Sequence, residues 1–414
     1  MNGFRFSPIS ISLSPNVQRD DVFLTLKTIL SPWTWKNGKE VKELEDAFKN
    51  FFSVYQAFSF NSGRSSLMAI LYALNIGADD EVLIQAYTCN AVSNSIIWSG
   101  AKPVYVDIKG DDDLTIDIDD LEKKITKKSK AIIIQHTFGF IADVDKVLVL
   151  AKKYNLRIVE DCAHTLGAEY RGKKIGSFGD ASFFSFGRDK VISSVFGGMV
   201  LTDNAGFAER INEFQKKCGN PSNFWIFKQL LHPIIFSLAL PVYNFFGLGK
   251  IIILFFQKIG LLSKAVTKGE SQGRKPEYFP FVLPSALAVL AMNQFKKADK
   301  FNKHRQEIAD FYEKHLGNQN HLEKKNMFLL KYPIVVKSPK ALIRRARAEN
   351  IILNDGWFGS PIAPLGTNLL KMHYNIGSCP KAEKASESIL NLPTHVNISL
   401  KQAEKILKCI QSKK

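Results

Sequence analysis

Three polar segments near the middle of the chain carry residue types that can do chemistry together. The first, NSGRSS, places Gly63, Arg64 and Ser65 at the start of an expected helix, where free backbone N–H groups and the helix dipole suit a phosphate. In the second, EDCAH, Asp161 follows an apolar run, where a carboxylate needs a partner. The third, SFFSFGRDKVISSVFGG, contains Lys190, whose amine can form a Schiff base with a carbonyl compound.

Each segment alone also has an ordinary interpretation. The first is typical of a capped helix start, the second could be a solvated strand end, and a loop lysine is usually solvated. Together, however, a phosphate cup, a carboxylate and a lysine are the parts that hold pyridoxal 5'-phosphate. The lysine forms the Schiff base, the carboxylate keeps the pyridine nitrogen protonated, and the cup anchors the phosphate.

The surrounding sequence predicts the sheet that would bring these segments together. Apolar runs predict buried strands, and helical apolar spacing lies between them. The strands are EVLIQA, PVYVDI, AIIIQH, LRIVED, SFFSF and GMVLTD, and the helices are SSLMAILYALNI and ADVDKVLVLAKKYN. This alternation predicts an α/β fold with a largely parallel sheet, whose ligands bind beyond the carboxyl ends of the strands. All three polar segments fall at such ends.

The order of motifs resembles a known family. NSGRSSL, PVYVDI, IVEDCAHTLGA, SFFSFGRDKVISSVFGG and LPTHVNIS together resemble the DegT/DnrJ/EryC1/StrS sugar aminotransferases. The resemblance implies the fold-type-I, aspartate aminotransferase-like architecture, with a mostly parallel sheet in a large domain and a smaller C-terminal α+β domain. It also implies pyridoxal phosphate as cofactor, a homodimer, and conversion of a keto sugar, nucleotide-linked, to an amino sugar with glutamate as donor.

The same resemblance assigns roles to single residues. Lys190 corresponds to the Schiff-base lysine, which also moves the substrate proton, and Asp161 to the partner of the pyridine nitrogen. His164 falls where the family has a Gln or His near the phenolic oxygen of the cofactor, although a histidine satisfied within the core is an alternative. Ser185 corresponds to the family serine that binds the phosphate.

The cofactor-binding positions also depart from the family pattern. Gly63, Arg64 and Ser65 match its Gly-Thr-Ala cup, and Arg64 in place of threonine predicts a salt bridge to the phosphate. Cys89 stands where the family has an aromatic residue against the cofactor ring, so Tyr87 could stack there only with a different loop shape.

A second departure concerns the contact between subunits. Pro280 and Val282 replace the Asn and Arg of a family segment that reaches the phosphate of the partner subunit. This contact is therefore in doubt here.

Residues 224–262 form an apolar insert that the family does not explain. Gln229 to Gly249 contains no Lys, Arg, Asp or Glu, which is long enough to cross a bilayer, but Pro233 and Pro241 should break the helix. Flanking lysines, with Trp225 and Tyr243, favour a broken helical hairpin at a membrane interface. Packing at a domain or dimer interface and a true membrane span are the alternatives.

The sequence divides into three parts: residues 1–222 with the cofactor domain, 223–275 with the insert, and 276–414 with one long helix and a small C-terminal domain.

The overall composition constrains the partners of the protein. The net charge of +17 favours anionic partners, and the scattered cysteines predict reduced thiols without a metal site. We expect a cytoplasmic enzyme that can lie peripherally at the inner face of the membrane. We expect no nucleic-acid partner. A sugar dehydratase, which would carry His in place of Lys190, and a membrane-docked homologue without catalysis are the alternative functions.

Overall fold

The structure is a computed structural model of the 414-residue chain, and it describes residues 6–317 and 327–412. Its strands, in chain order, are β1 (Ile9–Ser10), β2 (Gln56–Phe60), β3 (Glu81–Gln85), β4 (Thr88–Cys89), β5 (Lys102–Val106), β6 (Ser129–Gln135), β7 (Arg157–Asp161), β8 (Glu169–Tyr170), β9 (Lys173–Lys174), β10 (Ala181–Ser185), β11 (Gly198–Thr202), β12 (Lys331–Val335), β13 (Ile351–Ile352), β14 (Ile362–Ala363) and β15 (Ile389–Pro393).

Fourteen α-helices accompany these strands in the described residues. They are α1 (Arg19–Ile29), α2 (Glu40–Phe52), α3 (Gly63–Ala73), α4 (Asn90–Trp98), α5 (Ile118–Lys124), α6 (Val144–Tyr154), α7 (Ala205–Lys217), α8 (Asn223–Ala239), α9 (Leu248–Lys258), α10 (Ser285–Phe295), α11 (Ala298–Leu316), α12 (Pro339–Ala348), α13 (Pro380–Ser388) and α14 (Leu400–Gln411).

A seven-stranded sheet forms the centre of the large domain. Its order is β2-β11-β10-β7-β6-β3-β5, and the pairs from β10 to β5 are parallel, whereas β11 runs antiparallel to β10 and β2. The six predicted strands and the mostly parallel sheet are confirmed. The central strands are mostly buried because helices cover both faces, and polar side chains gather at the carboxyl ends of β7 and β10.

The C-terminal part differs from the prediction in one respect. The predicted long helix over residues 286–316 is two helices, α10 and α11, separated at Lys296 and Lys297. The break places the Lys297 amine 2.7 Å from a carboxylate oxygen of Asp20 and 3.0 Å from one of Asp21, at the start of α1. Ion pairing with a helix distant in sequence therefore accompanies the end of α10. The sequence also predicts a strand at KYPIVV and helices in SPKALIRRARAEN and SLKQAEKILKCIQSKK, and these are present as β12, α12 and α14.

The insert folds as two packed helices. Helix α8 runs through Pro233 without ending, so the prediction that this proline breaks the helix is wrong, while Pro241 lies in the short 3₁₀ turn that follows. Pro233 is buried in the packed face of the helix, and a buried helix tolerates the loss of one hydrogen bond when packing holds it. Helix α8 and this turn are long and apolar enough to cross a membrane, but half of the apolar window is buried in the protein.

Candidate active site

The centre of the site is a contact between Lys190 and His164. Lys190 lies in the half-buried loop that follows β10, and His164 lies three residues beyond the end of β7. Because β7 and β10 are parallel neighbours, their carboxyl ends bring the two side chains together. The Nζ atom of Lys190 is 3.0 Å from Nε2 of His164.

The surroundings of His164 fix its ring and its proton. Its Nδ1 accepts a hydrogen bond from the backbone N–H of Phe138 at 3.1 Å, so the neutral ring carries its proton on Nε2, the atom that faces Lys190. The ring stacks on Phe138 with centroids 5.6 Å apart, and Trp357 meets it edge-on. Burial, together with the positive charges of Lys190 and Lys331, holds the pKa of His164 well below its usual value. His164 is therefore neutral, and its Nε2–H can donate to a ligand oxygen but not to a protonated Lys190 amine.

Asp161 lies at the buried end of β7. One carboxylate oxygen accepts a hydrogen bond from the backbone N–H of Ala163 at 3.0 Å. Burial raises the pKa of Asp161, while this hydrogen bond and the charges of Lys190 and His136 act in the opposite direction. A buried carboxylate in such a position is stabilised in its charged form by a nearby cation, which a protonated ring nitrogen would supply.

The phosphate cup is formed by the start of α3 and the end of β10. A Cβ on Gly63 would lie 3.1 Å from Cβ of Ser185, which is tighter than an ordinary van der Waals contact, so glycine favours this close approach of the helix. Ser62 caps α3 by accepting a hydrogen bond from the backbone N–H of Ser65. The N–H groups of Gly63 and Arg64, at the first turn, have no intrahelical acceptor and remain suited to an anion.

The side chains of Arg64 and Ser65 both contact other groups of the protein. The Arg64 guanidinium is directed away to an ion pair with Glu270, with Nε 2.9 Å from the carboxylate, and to the carbonyl of Ala265. The Ser65 hydroxyl is fully buried and donates to the side chain of Asn61 at 2.7 Å. The predicted salt bridge from Arg64 to the phosphate is thus replaced by one within the protein, because the buried carboxylate of Glu270 lies 2.9 Å from the guanidinium.

The loop after β3 buries Tyr87 completely but leaves Cys89 half-buried. Tyr87 is fully buried with a φ of 57°, and its ring meets the rings of Phe138 and Trp357 edge-on. Cys89 is half-buried, ends β4 and precedes α4. The left-handed backbone at Tyr87 turns its ring toward the aromatic cluster around His164.

Near Asp161, a group of His136, Glu160 and Cys162 comes close enough together to suggest a metal site. The Glu160 carboxylate, however, already accepts hydrogen bonds from the backbone N–H groups of three residues in the 176–179 loop. Its hydrogen bonds explain its burial without an ion.

Sequence reasoning missed an ion-pair network that joins the C-terminal domain to the lysine loop. The buried amine of Lys331, at the start of β12, lies 3.0 Å from Asp355 and 3.5 Å from Asp189, the residue before Lys190. Burial acts to lower the pKa of Lys331, but the charges of these two carboxylates outweigh burial and raise it. The available signal was Lys331 itself, a charged residue at the edge of the apolar run KYPIVV. The sequence does not show which carboxylates pair with it.

We expect Lys331→Met to destabilise the protein strongly. The substitution leaves the 4% exposed Asp355 without its cation, and the loss of one partner from a buried ion pair costs about 3–5 kcal/mol. Urea unfolding should show this loss, while Lys337→Met, on an exposed lysine just after β12, should leave stability unchanged. The double variant Lys331→Met/Asp355→Asn should recover part of the loss, and no recovery would contradict an electrostatic origin.

Taken together, the described residues fit pyridoxal phosphate. An amine, a neutral histidine, a buried carboxylate and a helix start with a glycine lie at one edge of the sheet, and each offers a group that a different part of the cofactor would need.

Comparison with known proteins agrees with this assignment. The chain is 41% identical over 197 residues to MJ1066 of Methanocaldococcus jannaschii (48% of this chain, 50% of that protein). It is 29% identical over 300 residues to GDP-perosamine synthase of Escherichia coli O157:H7 (72% and 69%). The match thus spans about half to two thirds of these relatives' lengths.

The fold itself matches solved structures along nearly the whole chain. The putative sugar aminotransferase Spr1654 from Streptococcus pneumoniae, in its PMP form, superposes with a TM-score of 0.73 at 24% identity, covering 99% of this chain and 98% of that one. The predicted fold class is confirmed. Residues 17–228 and 278–411 match the DegT/DnrJ/EryC1/StrS aminotransferase family, and the chain belongs to that family.

Proposed function

We propose that this protein is a pyridoxal-phosphate-dependent aminotransferase that converts a keto sugar to an amino sugar. Family membership confirms the predicted cofactor and the class of enzyme. The observation that carries the proposal is the contact of Lys190 with His164 at 3.0 Å, at the edge of the sheet that also holds the buried Asp161 and the close approach of Gly63 to Ser185. Lysine at position 190 disfavours the dehydratase alternative.

Each residue has a separate task in this proposal. Bound pyridoxal phosphate supplies the electron-withdrawing ring that makes the substrate carbon acidic. Lys190 would hold the cofactor covalently and, once released, its amine would take up the proton that the substrate carbon loses. Asp161 would pair with the ring nitrogen, His164 would donate from Nε2 to the phenolic oxygen, and Ser185 with the N–H groups of the cup would bind the phosphate.

The substrate is proposed to be a nucleotide-linked keto sugar, with glutamate as amino donor. The name of GDP-perosamine synthase specifies a GDP-linked sugar for that relative. A diphosphate is also consistent with the strongly basic charge of this chain. The choice of glutamate rests on the family resemblance.

A homodimer is also proposed. Helix α1 and the turn after it expose large apolar side chains that the monomer does not cover: Phe23 (71% exposed), Leu26 (44%), Leu30 (75%) and Trp33 (77%). Clustered exposure of this kind is typical of an interaction surface. Phe281 lies between Pro280 and Val282, the residues that depart from the family segment at the subunit contact. Its backbone carbonyl accepts a hydrogen bond from the backbone N–H of Asn61 in the same chain, and its own N–H donates to the Asn61 side chain. A cytoplasmic location stays a prediction.

The proposal is tested with the purified protein reconstituted with the cofactor. We expect glutamate to convert the absorbance of the bound cofactor from its visible-edge band to a shorter wavelength, and a nucleotide-linked keto sugar to restore it. Aspartate and alanine serve as alternative donors, and the same keto sugar without its nucleotide tests that requirement. A protein that binds the cofactor but responds to no donor would contradict the proposed function.

A further inference from the structure

The insert exposes an apolar surface that nothing in the described chain covers. We define this surface, the α9 face, as the outward side of helix α9 and the loop before it. Its large exposed side chains are Phe245 (43% exposed), Phe246 (92%), Leu248 (43%), Ile251 (59%), Leu254 (63%), Phe255 (54%) and Ile259 (48%). Their spacing of three and four residues along α9 places them on one side of the helix.

The opposite side of α9 is fully used in packing against α8. Ile253 joins Ile235, Phe236 and Ala239 in a small apolar core. A side chain on Gly249 would lie 2.1 Å from the backbone carbonyl of Ala239, so the two helices touch closely there. Helix α9 is therefore held firmly by its inner side, and its apolar outer side has no structural task in the monomer.

Charge distinguishes the possible occupants of this face. Residues 214–269 contain seven lysines and no Asp or Glu: Lys216, Lys217, Lys228, Lys250, Lys258, Lys264 and Lys268. A second copy of the chain placed on the same face would bring like charges together, which is unfavourable. An anionic lipid surface instead offers apolar tails for the face and negative headgroups for the lysines.

We propose that the α9 face rests in the headgroup layer of an anionic membrane, with α9 parallel to the surface. Lys258 lies among the apolar residues of the face, where its long side chain can reach up to the headgroups while the helix sits among the tails. The face lies on the membrane and does not span it, because α8 is half-buried in the protein. Trp225, expected at the interface, is instead buried against Phe196.

The base of the insert connects this face to the cofactor site. Ser263 accepts hydrogen bonds from both terminal nitrogens of Arg188, two residues before Lys190. Ala265 and Glu270 hold Arg64 at the start of α3. A docked insert would thus hold the site at a fixed position relative to the bilayer. Residues 229–277 lie between the two ranges that match the family, so the common fold does not require this segment.

The test is flotation of the full chain with vesicles of phosphatidylcholine alone and of phosphatidylcholine mixed with phosphatidylglycerol. We expect binding to the mixed vesicles that weakens in high salt. The triple variant Ile251→Asn/Leu254→Gln/Phe255→Asn should bind at least about tenfold more weakly, since burying one large apolar side chain contributes about that factor. The matched control Val149→Asn/Val335→Asn/Leu400→Gln removes exposed apolar side chains outside the insert and should float as the wild type does.

A charge variant, Lys250→Gln/Lys258→Gln, should lose most of the preference for anionic lipid while keeping the visible-edge band of the cofactor. The proposal is overturned if the wild type stays at the bottom with both lipids, or if the triple variant floats as well as the wild type. It is also overturned if the triple variant changes the molecular mass in solution without vesicles, because the face would then belong to a contact between copies.

Discussion

Lys190→Ala should lose the visible-edge absorbance of the bound cofactor and reduce turnover by several orders of magnitude. Only an amine at this position can bond covalently to the cofactor and then carry the proton that the reaction moves. The side chain is half-buried, and its Nζ contacts His164 without a buried ion pair of its own, so we expect the fold to persist. Absorbance before and after borohydride, with donor turnover, measures the effect.

Two controls separate this chemistry from charge and from stability. Lys190→Arg keeps a positive charge near Asp161 but has no nucleophilic amine, so it should be as inactive as the alanine variant. Lys128→Ala removes an exposed lysine of the same domain and should change neither absorbance nor turnover. An alanine variant that keeps turnover and the circular dichroism of the wild type would remove Lys190 from the assigned role.

Asp161→Asn should still bind the cofactor but react slowly. The neutral amide no longer favours a proton on the ring nitrogen, and the loss of one such electrostatic contact typically costs about 100- to 1,000-fold in rate. Because burial raises the pKa of Asp161 in the protein without cofactor, cofactor binding should also weaken as the pH drops and this carboxylate takes up a proton. Single-turnover reaction of the donor, followed by absorbance across pH, tests both effects.

The matched control is Asp180→Asn. Asp180 lies just before β10, at the edge of the sheet opposite the site, and pairs there with the exposed Arg157. It should keep normal turnover and the normal pH profile. Near-normal turnover of Asp161→Asn would show that this carboxylate does not face the ring nitrogen.

The sequence by itself determined the framework of the site. Strands such as LRIVED and SFFSF are recognised by their apolar runs, and parallel neighbours must end at one edge of the sheet. That rule alone placed Asp161 near the Lys190 loop, and the segment NSGRSS indicated a helix start with free backbone N–H groups. These features depend on local backbone chemistry, which neighbouring residues encode.

Only the tertiary structure decided which partner each charged side chain chose. Arg64 turned to Glu270, 206 positions later, and Lys331 joined Asp189 and Asp355. The continuation of α8 through Pro233 and the break between α10 and α11 were likewise set by packing and by ion pairs with distant segments. A long flexible side chain reaches several acceptors of similar energy, so the choice depends on which of them the whole fold brings within about 3 Å and removes from water.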